Sequence, residues 1–217
     1  MTAAAPRADL RARLMEALRL PPPRDCRGDR DLWVDPAPPP AATRPAAVLV
    51  PIRWADPQTG FVILTRRAAH LPQHAGQVSF PGGRVNPGED PVTAALREAE
   101  EEIALPRARV AVAGLLEPYC TVTDFLVTPV VGFIDGEVTL RPDPGEVERI
   151  FEVPLQRVLD IRAYRRAEGE RDGRRRAFFI LPHEEFFIWG ATAHMLYGLA
   201  ERWQALSEAA GAGPRGA

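Results

Sequence analysis

The chain has no lysine: all 27 of its basic side chains are arginine, and 29 acids leave a net charge of −2. That balance excludes the broad basic field that draws in nucleic acid. With alanine and proline plentiful, the arginine usage reads as base composition rather than mechanism. There are two cysteines, Cys26 and Cys120, too few for a disulfide framework, and no Cys/His cluster has zinc spacing. Cys120 reads as a small buried apolar residue. Only Ser79 and Ser207 are serines, and neither stands in a G-x-S-x-G elbow. No P-loop is present. The tail from Gly211 to Gly216 spells G-x-G-x-x-G, but no strand precedes it and no chain remains for a helix. No apolar run approaches the roughly 20 residues that span a bilayer. The start has no uninterrupted apolar stretch, Asp9 and Glu16 argue against a transit peptide, and the last residues are not a peroxisomal tripeptide. The expectation is a cytoplasmic protein with no membrane and no nucleic-acid partner, a monomer or homodimer.

What is there divides into three parts. Residues 1–45 hold an amphipathic helix over 5–20, with Leu10, Leu14, Met15 and Leu18 at helical spacing, stopped by Pro21-Pro22-Pro23. A Pro-rich arm follows, anchored by Leu32, Trp33 and Val34, to which no chemistry is assigned. Residues 46–209 form the main domain, and 210–217 a flexible tail. Apolar runs at 46–52 and 60–65 predict paired strands, with further strands at 110–116, 125–134 and 150–153. Asp135-Gly136 predicts a hairpin to a strand over 137–140, and Asp172-Gly173 a second hairpin leading to 177–181 and 186–189. Short helical segments are expected at 154–159 and a longer one at 191–209. Strands outnumber helices, which suits a mixed sheet flanked by helices, an α/β fold.

The stretch from Gly82 to Leu105 carries the chemistry. Asp90 is a good N-cap and Pro91 suits the first helical position. At about 100° per residue, Val92, Ala95, Leu96, Ala99 and Ile103 form an apolar stripe. Glu98, Glu101 and Glu102, spaced i, i+3, i+4, project from one other face, while Glu100 points elsewhere. Carboxylates about 5–6 Å apart repel by roughly 3 kcal/mol at an effective dielectric near 20. They also sit near the helix C-terminus, where the macrodipole disfavours anions. Arg97 is the only nearby base on the helix. A Gly-Gly turn just upstream lets backbone approach a ligand closely. Hard divalent cations take a few carboxylate oxygens plus water and phosphate oxygens, so the spacing points to a metal working on a phosphate ester or anhydride.

Other signals have plainer readings. His70 and His74 stand at i, i+4, but Pro72 and Gly76 oppose a regular helix between them. His183 and His194 are isolated. The aromatic series Phe178, Phe179, Phe186, Phe187 and Trp189 reads as strand and core packing rather than a base-stacking platform.

From Gly83 the sequence resembles the Nudix box, G-x5-E-x7-R-E-U-x-E-E-x-G-U with U aliphatic. Gly83, Glu89, Arg97, Glu98, Ala99, Glu101, Glu102 and Leu105 fall in place; Ala104 stands where the box has its late glycine, which implies a different helix exit. Upstream, residues 63–83 resemble the signature preceding the box in the coenzyme A pyrophosphatase subfamily, with Ile63 at a leucine position and Pro72 where a second arginine is usual.

The resemblance implies an α/β/α sandwich and a pyrophosphohydrolase that uses Mg2+ or Mn2+. It implies that Glu98, Glu101 and Glu102 hold the metal, with Arg97 and Glu89 as a supporting ion pair and Asp90 as helix support. The proton acceptor is expected on the box helix, at Glu101, or on a later loop, at Glu146, with Glu148 and Glu152 as competitors. Arg66 and Arg67 would grip phosphates, Gln77 and Ser79 would touch substrate, and Gly82 and Gly83 would shape the turn around the pyrophosphate. The implied substrate is coenzyme A, cleaved to 3′,5′-ADP and 4′-phosphopantetheine. Another nucleoside diphosphate derivative, or a non-catalytic nucleotide sensor, stands as the alternative.

Overall fold

The computed structural model describes residues 9–22, 25–32, 43–171 and 173–211. Trp33, Val34 and Asp172 lie outside them. The helices are α1 (Leu10–Arg19), α2 (Pro91–Ile103), α3 (Leu155–Leu159) and α4 (Gly190–Gly211). In the first half the strands are β1 (Arg27–Gly28), β2 (Arg44–Asp56), β3 (Thr59–Arg67), β4 (Val78–Ser79) and β5 (Gly82–Arg84). They continue as β6 (Ala111–Leu115), β7 (Tyr119–Cys120), β8 (Phe125–Asp135), β9 (Val147–Pro154), β10 (Arg165–Arg171), β11 (Arg174–Leu181) and β12 (Ile188–Trp189).

β2 and β3 make the expected hairpin, and β2 also runs parallel to β8 from Arg44↔Phe125 to Trp54↔Asp135. A parallel pair needs a crossover, and α2 lies within it. The resulting mixed sheet has the order β1-β7-β8-β2-β3-β4, with β5 on β2, β6 on β8 and β9 on β3. Its faces follow the two-residue alternation of strands. Leu49, Ile63, Val130 and Ile134 meet Ala95, Ala99 and Ile103 of α2. Val50, Ile52, Leu64 and Val131 meet Leu14 of α1, Leu155 of α3 and Leu196 and Leu199 of α4. Both faces are covered, which is why β2 and β8 are apolar almost throughout rather than alternating. A second, three-stranded sheet, β10-β11-β12, contains the hairpin expected around Gly173, whose φ is 72°.

Of the helix expected over 5–20, residues 5–8 lie outside the described residues; Asp9 caps α1 by accepting from the Arg11 and Ala12 N–H groups, and the chain leaves it at Leu20, before the prolines. The arm after it is pinned by charge. Arg27 pairs with Glu201 of α4, and Glu117 accepts from Arg202, whose guanidinium also reaches the Leu18 carbonyl at 3.2 Å. The pairing of β1 with β7 brings the two thiols together, Cys26 Sγ to Cys120 Sγ at 3.5 Å. Burial and the neighbouring thiol push Cys26 up to about 11, so Cys26 stays protonated at neutral pH.

The strand expected over 137–140 does not form. After the turn at Gly136 the chain instead caps α2: the Arg141 N–H donates to the Ile103 carbonyl at 3.1 Å and the Asp143 N–H to the Glu102 carbonyl at 2.8 Å. Those carbonyls have no partner inside the helix, and this segment supplies one. Ala104 adopts the left-handed conformation, φ 53°, ψ 32°, that a glycine would take at a helix end, so the exit is not altered by the missing glycine. The side chain is held there at a cost. Ala104→Gly is therefore expected to raise unfolding stability by about 1 kcal/mol, read as a higher denaturant midpoint at unchanged slope.

Candidate active site

The acidic helix starts as expected, with Asp90 accepting from the Val92 and Thr93 N–H groups at 2.9 and 3.1 Å and Pro91 in its first turn. Arg97 then gathers four neighbours. Its Nε and Nη2 donate to the two Glu89 oxygens at 2.9 and 3.0 Å, and its Nη1 to Glu98 at 2.8 Å and Glu101 at 3.1 Å. Nη2 also reaches the Arg84 carbonyl at 3.1 Å, tying the helix to β5. The hydrogen bonds from Arg97 and the Asn86 N–H hold the Glu89 carboxyl below its ordinary range. Glu100 pairs separately, with Arg107.

The three remaining carboxylates do not share one solvent face. Glu101 is exposed, Glu98 half-buried, and Glu102 only 4% exposed. Glu102 lies where the helix meets the sheet, and its pKa is pushed up to about 8. Burial is the largest cause, followed by the charges of Glu146 and Glu98; Arg67 and the Gly82 N–H oppose it. Glu98 is also raised, mainly by burial, with the Arg97 hydrogen bond acting against it. Its carboxylate rests on the turn: a Cβ on Gly83 would fall 2.5 Å from the Glu98 Cδ. Gly82 is equally confined, since its Cβ would stand 2.5 Å from the Ala47 carbonyl oxygen. Both glycines exist for close approach, Gly83 to an acid and Gly82 to β2.

The capping segment behind α2 delivers the loop acid. The Glu146 N–H donates to the Asp143 carbonyl at 3.0 Å, and its carbonyl accepts from the Ala68 N–H at 2.9 Å, so Glu146 is fixed between the ends of α2 and β3. His70 steadies the same loop, with Nε2 at 3.2 Å from the Gly145 carbonyl. The competing acids are engaged elsewhere: Glu152 takes both arms of Arg53 at 2.6 Å, and Glu148 lies 3.5 Å from Arg66.

Beside this cluster opens a cleft of about 380 Å³. Arg67, Gln77, Ser79, Gly82 and Gly83 line it, while Arg66 does not. Gln77 Oε1 is 2.9 Å from His74 Nδ1, and Ser79 Oγ is 3.1 Å from Thr65 Oγ1, so both polar groups are already oriented. His70 and His74 thus serve separate partners. The lining also includes Asp29, Arg84, Phe125, Arg176, Trp189 and Met195, none of them read as a site residue from the sequence, where Trp189 reads as strand and core packing. Arg84 follows the Gly-Gly turn and was legible by adjacency; the others come from distant segments without a shared motif.

Among the described residues, no three carboxylate, histidine or cysteine side chains are disposed to close on an ion as they stand. Arg97 draws Glu98 and Glu101 to itself. The donor set nevertheless suits a hard cation, because the charge of Glu146 raises the proton affinity of both Glu98 and Glu102, Glu98 adds to it at Glu102, and Arg67 is the charge that opposes them there.

A glycine turn facing an acidic helix at the edge of a mixed sheet covered by helices on both faces defines a Nudix-type α/β/α sandwich. The NUDIX domain model matches residues 43–174, and the chain belongs to that family. It is accordingly a pyrophosphohydrolase that acts on nucleoside diphosphate derivatives. The chain is similar to the uncharacterized Nudix hydrolase NudL of Salmonella paratyphi B, 44% identical over 158 residues that cover 72% of this chain and 81% of the relative. The same figures hold for its counterpart from Salmonella newport. Among solved structures, the MutT protein of Methanosarcina mazei is 18% identical with a TM-score of 0.49, covering 77% of this chain and 96% of that one. No helix among the described residues is long and apolar enough to cross a membrane.

Proposed function

We propose that this chain is a divalent-metal-dependent pyrophosphatase that cleaves coenzyme A and its thioesters into 3′,5′-ADP and a 4′-phosphopantetheine species. The observation that carries the metal reading is Glu102, a buried carboxylate pushed up to about 8 with Glu98 and Glu146 beside it. Glu98, Glu101 and Glu102 would hold Mg2+ or Mn2+. Such an ion, when bound, neutralises pyrophosphate charge and eases deprotonation of water. The substrate reading rests on the block before the turn, whose Arg67, Gln77 and Ser79 border the cleft. Pro72 is exposed, and the cations lining the cleft are Arg67, Arg84 and Arg176.

The residues divide the work by position. Arg67 grips a phosphate oxygen through its forked donors. Gly82 and Gly83 keep side chains out of the space the pyrophosphate needs. Arg97, held by Glu89, aims Glu98 and Glu101. Glu146, on a loop fixed at both ends, takes the proton of the attacking water. Glu146→Gln is expected to lower kcat by about 100-fold with little change in metal affinity, and to flatten the acid limb of the pH–rate profile. An unaltered profile removes it as the base.

Side-by-side hydrolysis of coenzyme A, ADP-ribose and a dinucleoside polyphosphate with manganese tests the substrate. Coenzyme A should be cleaved fastest. If it is the poorest of the three the assignment is wrong, and cleavage of none with either metal favours the nucleotide-sensor reading.

A further inference from the structure

Part of the cleft lining is built by segments outside the box. The turn that carries Asp29 packs against β11, which carries Arg176, and β11 pairs with β12, which ends in Trp189. All three residues line the cleft. The aromatic series splits by strand alternation. Phe179 stacks on Tyr197 and Phe186 on Phe151, turned into the core. Phe178 and Phe187 instead flank Trp189, with ring centres 5.3 and 5.8 Å from it, and Phe187 is 57% exposed. A large apolar ring left in the open beside a lined cleft is a surface that packing alone does not explain.

Each wall selects a chemistry. An indole bordered by further rings offers a flat π-face to a base. Asp29 is held by the Tyr119 hydroxyl at 2.7 Å and the Val122 N–H at 2.8 Å, and an ionised carboxylate only accepts, so it favours a base edge that donates. Among the described residues Arg176 has no carboxylate partner, leaving its guanidinium for an anion. A plain acyl chain would use the aromatic wall but neither charge.

We propose that Trp189, Asp29 and Arg176 form the base subsite of this cleft, taking an adenine ring stacked on the indole, its amino group toward Asp29 and a ribose phosphate against Arg176. The proposal rests on the substrate being an adenine nucleotide derivative, not on its being coenzyme A.

Titration calorimetry on the full chain tests it, with ADP, 3′,5′-ADP, IDP and 4′-phosphopantetheine as probes. ADP should bind about tenfold more tightly than IDP, whose ring has a carbonyl in place of the amino group. 3′,5′-ADP should be tighter than ADP, and Arg176→Gln should erase that difference while leaving ADP unchanged. Trp189→Leu, which keeps an apolar wall, should weaken both adenine nucleotides about tenfold and spare 4′-phosphopantetheine. Equal affinity of the unmodified chain for ADP and IDP overturns the proposal, as does a Trp189→Leu loss confined to 4′-phosphopantetheine. The two proposals fail separately: adenine binding that responds to Trp189 without coenzyme A cleavage sinks the substrate, and coenzyme A cleavage with an unchanged KM in Trp189→Leu sinks the subsite.

Discussion

Glu102→Gln is expected to reduce turnover at saturating manganese by on the order of a hundredfold or more while making the metal-free protein more stable at alkaline pH. Both effects have one cause. Glu102 is 4% exposed, and its acid is raised from an ordinary 4.5 to about 8. Below about pH 4.5 the folded and unfolded chains both carry the proton, and ionisation makes no difference to stability. Between there and pH 8 the unfolded chain gives up its proton while the folded chain retains it, so stability drains away as pH rises. Above pH 8 the folded protein holds a buried anion next to Glu98 and Glu146, at a cost of a few kcal/mol. Glutamine keeps the shape and removes the charge. Thermal unfolding without metal should show the variant and the parent alike at pH 4.5 and the variant clearly ahead at pH 9. Added Mn2+ should close that gap by stabilising the parent alone. A variant with parental activity, or a gap indifferent to pH, removes Glu102 from the ligand set.

The second large effect comes from a single methyl group. Gly83→Ala would place a Cβ 2.5 Å from the Glu98 carboxylate carbon, so the acid must leave its seat against the turn. Glu98 also shares the Arg97 guanidinium with Glu89 and Glu101, and displacing it disturbs the whole set. A misplacement of about 1 Å at reacting groups costs on the order of 100-fold in rate. The expected result is a kcat loss of that size, a raised Mn2+ requirement and a far-UV spectrum like that of the parent. Gly82→Ala offers the contrast: its clash is with the backbone of β2, so it should destabilise the sheet edge as well as slow the reaction. Unchanged kcat in Gly83→Ala would show that Glu98 does not work from its observed position.

Much of the scaffold was legible in the chain itself. The cap at Asp90 and the first-turn proline, the β2–β3 hairpin, the turn at Gly173 and the closing helix are local events, set by residues within a few positions of one another. The box acids and Arg97 were legible for the same reason, being neighbours on one helix. The strand expected over 137–140 failed because its fate was decided elsewhere: the open carbonyls at the end of α2 took the N–H groups of Arg141 and Asp143 just beyond it. Helical spacing placed Glu98, Glu101 and Glu102 together but was blind to depth, since burial depends on what the sheet presents to each turn of the helix. Position alone makes Glu146 the preferred loop acid, and that Arg53 and Arg66 engage its competitors Glu152 and Glu148 is visible only in the structure.

By itself the sequence determined a Nudix fold, an acidic helix facing a glycine turn, and a phosphate chemistry, because each of these is written in short-range pattern. Only the tertiary structure decided which acid is buried, which loop glutamate is left without an arginine partner among the described residues, and that Asp29, Arg176 and Trp189 line one cleft with Arg67 and the glycine turn. Those depend on the parallel pairing of β2 with β8 and on the packing of the arm against β11, long-range contacts that leave no periodicity in the chain.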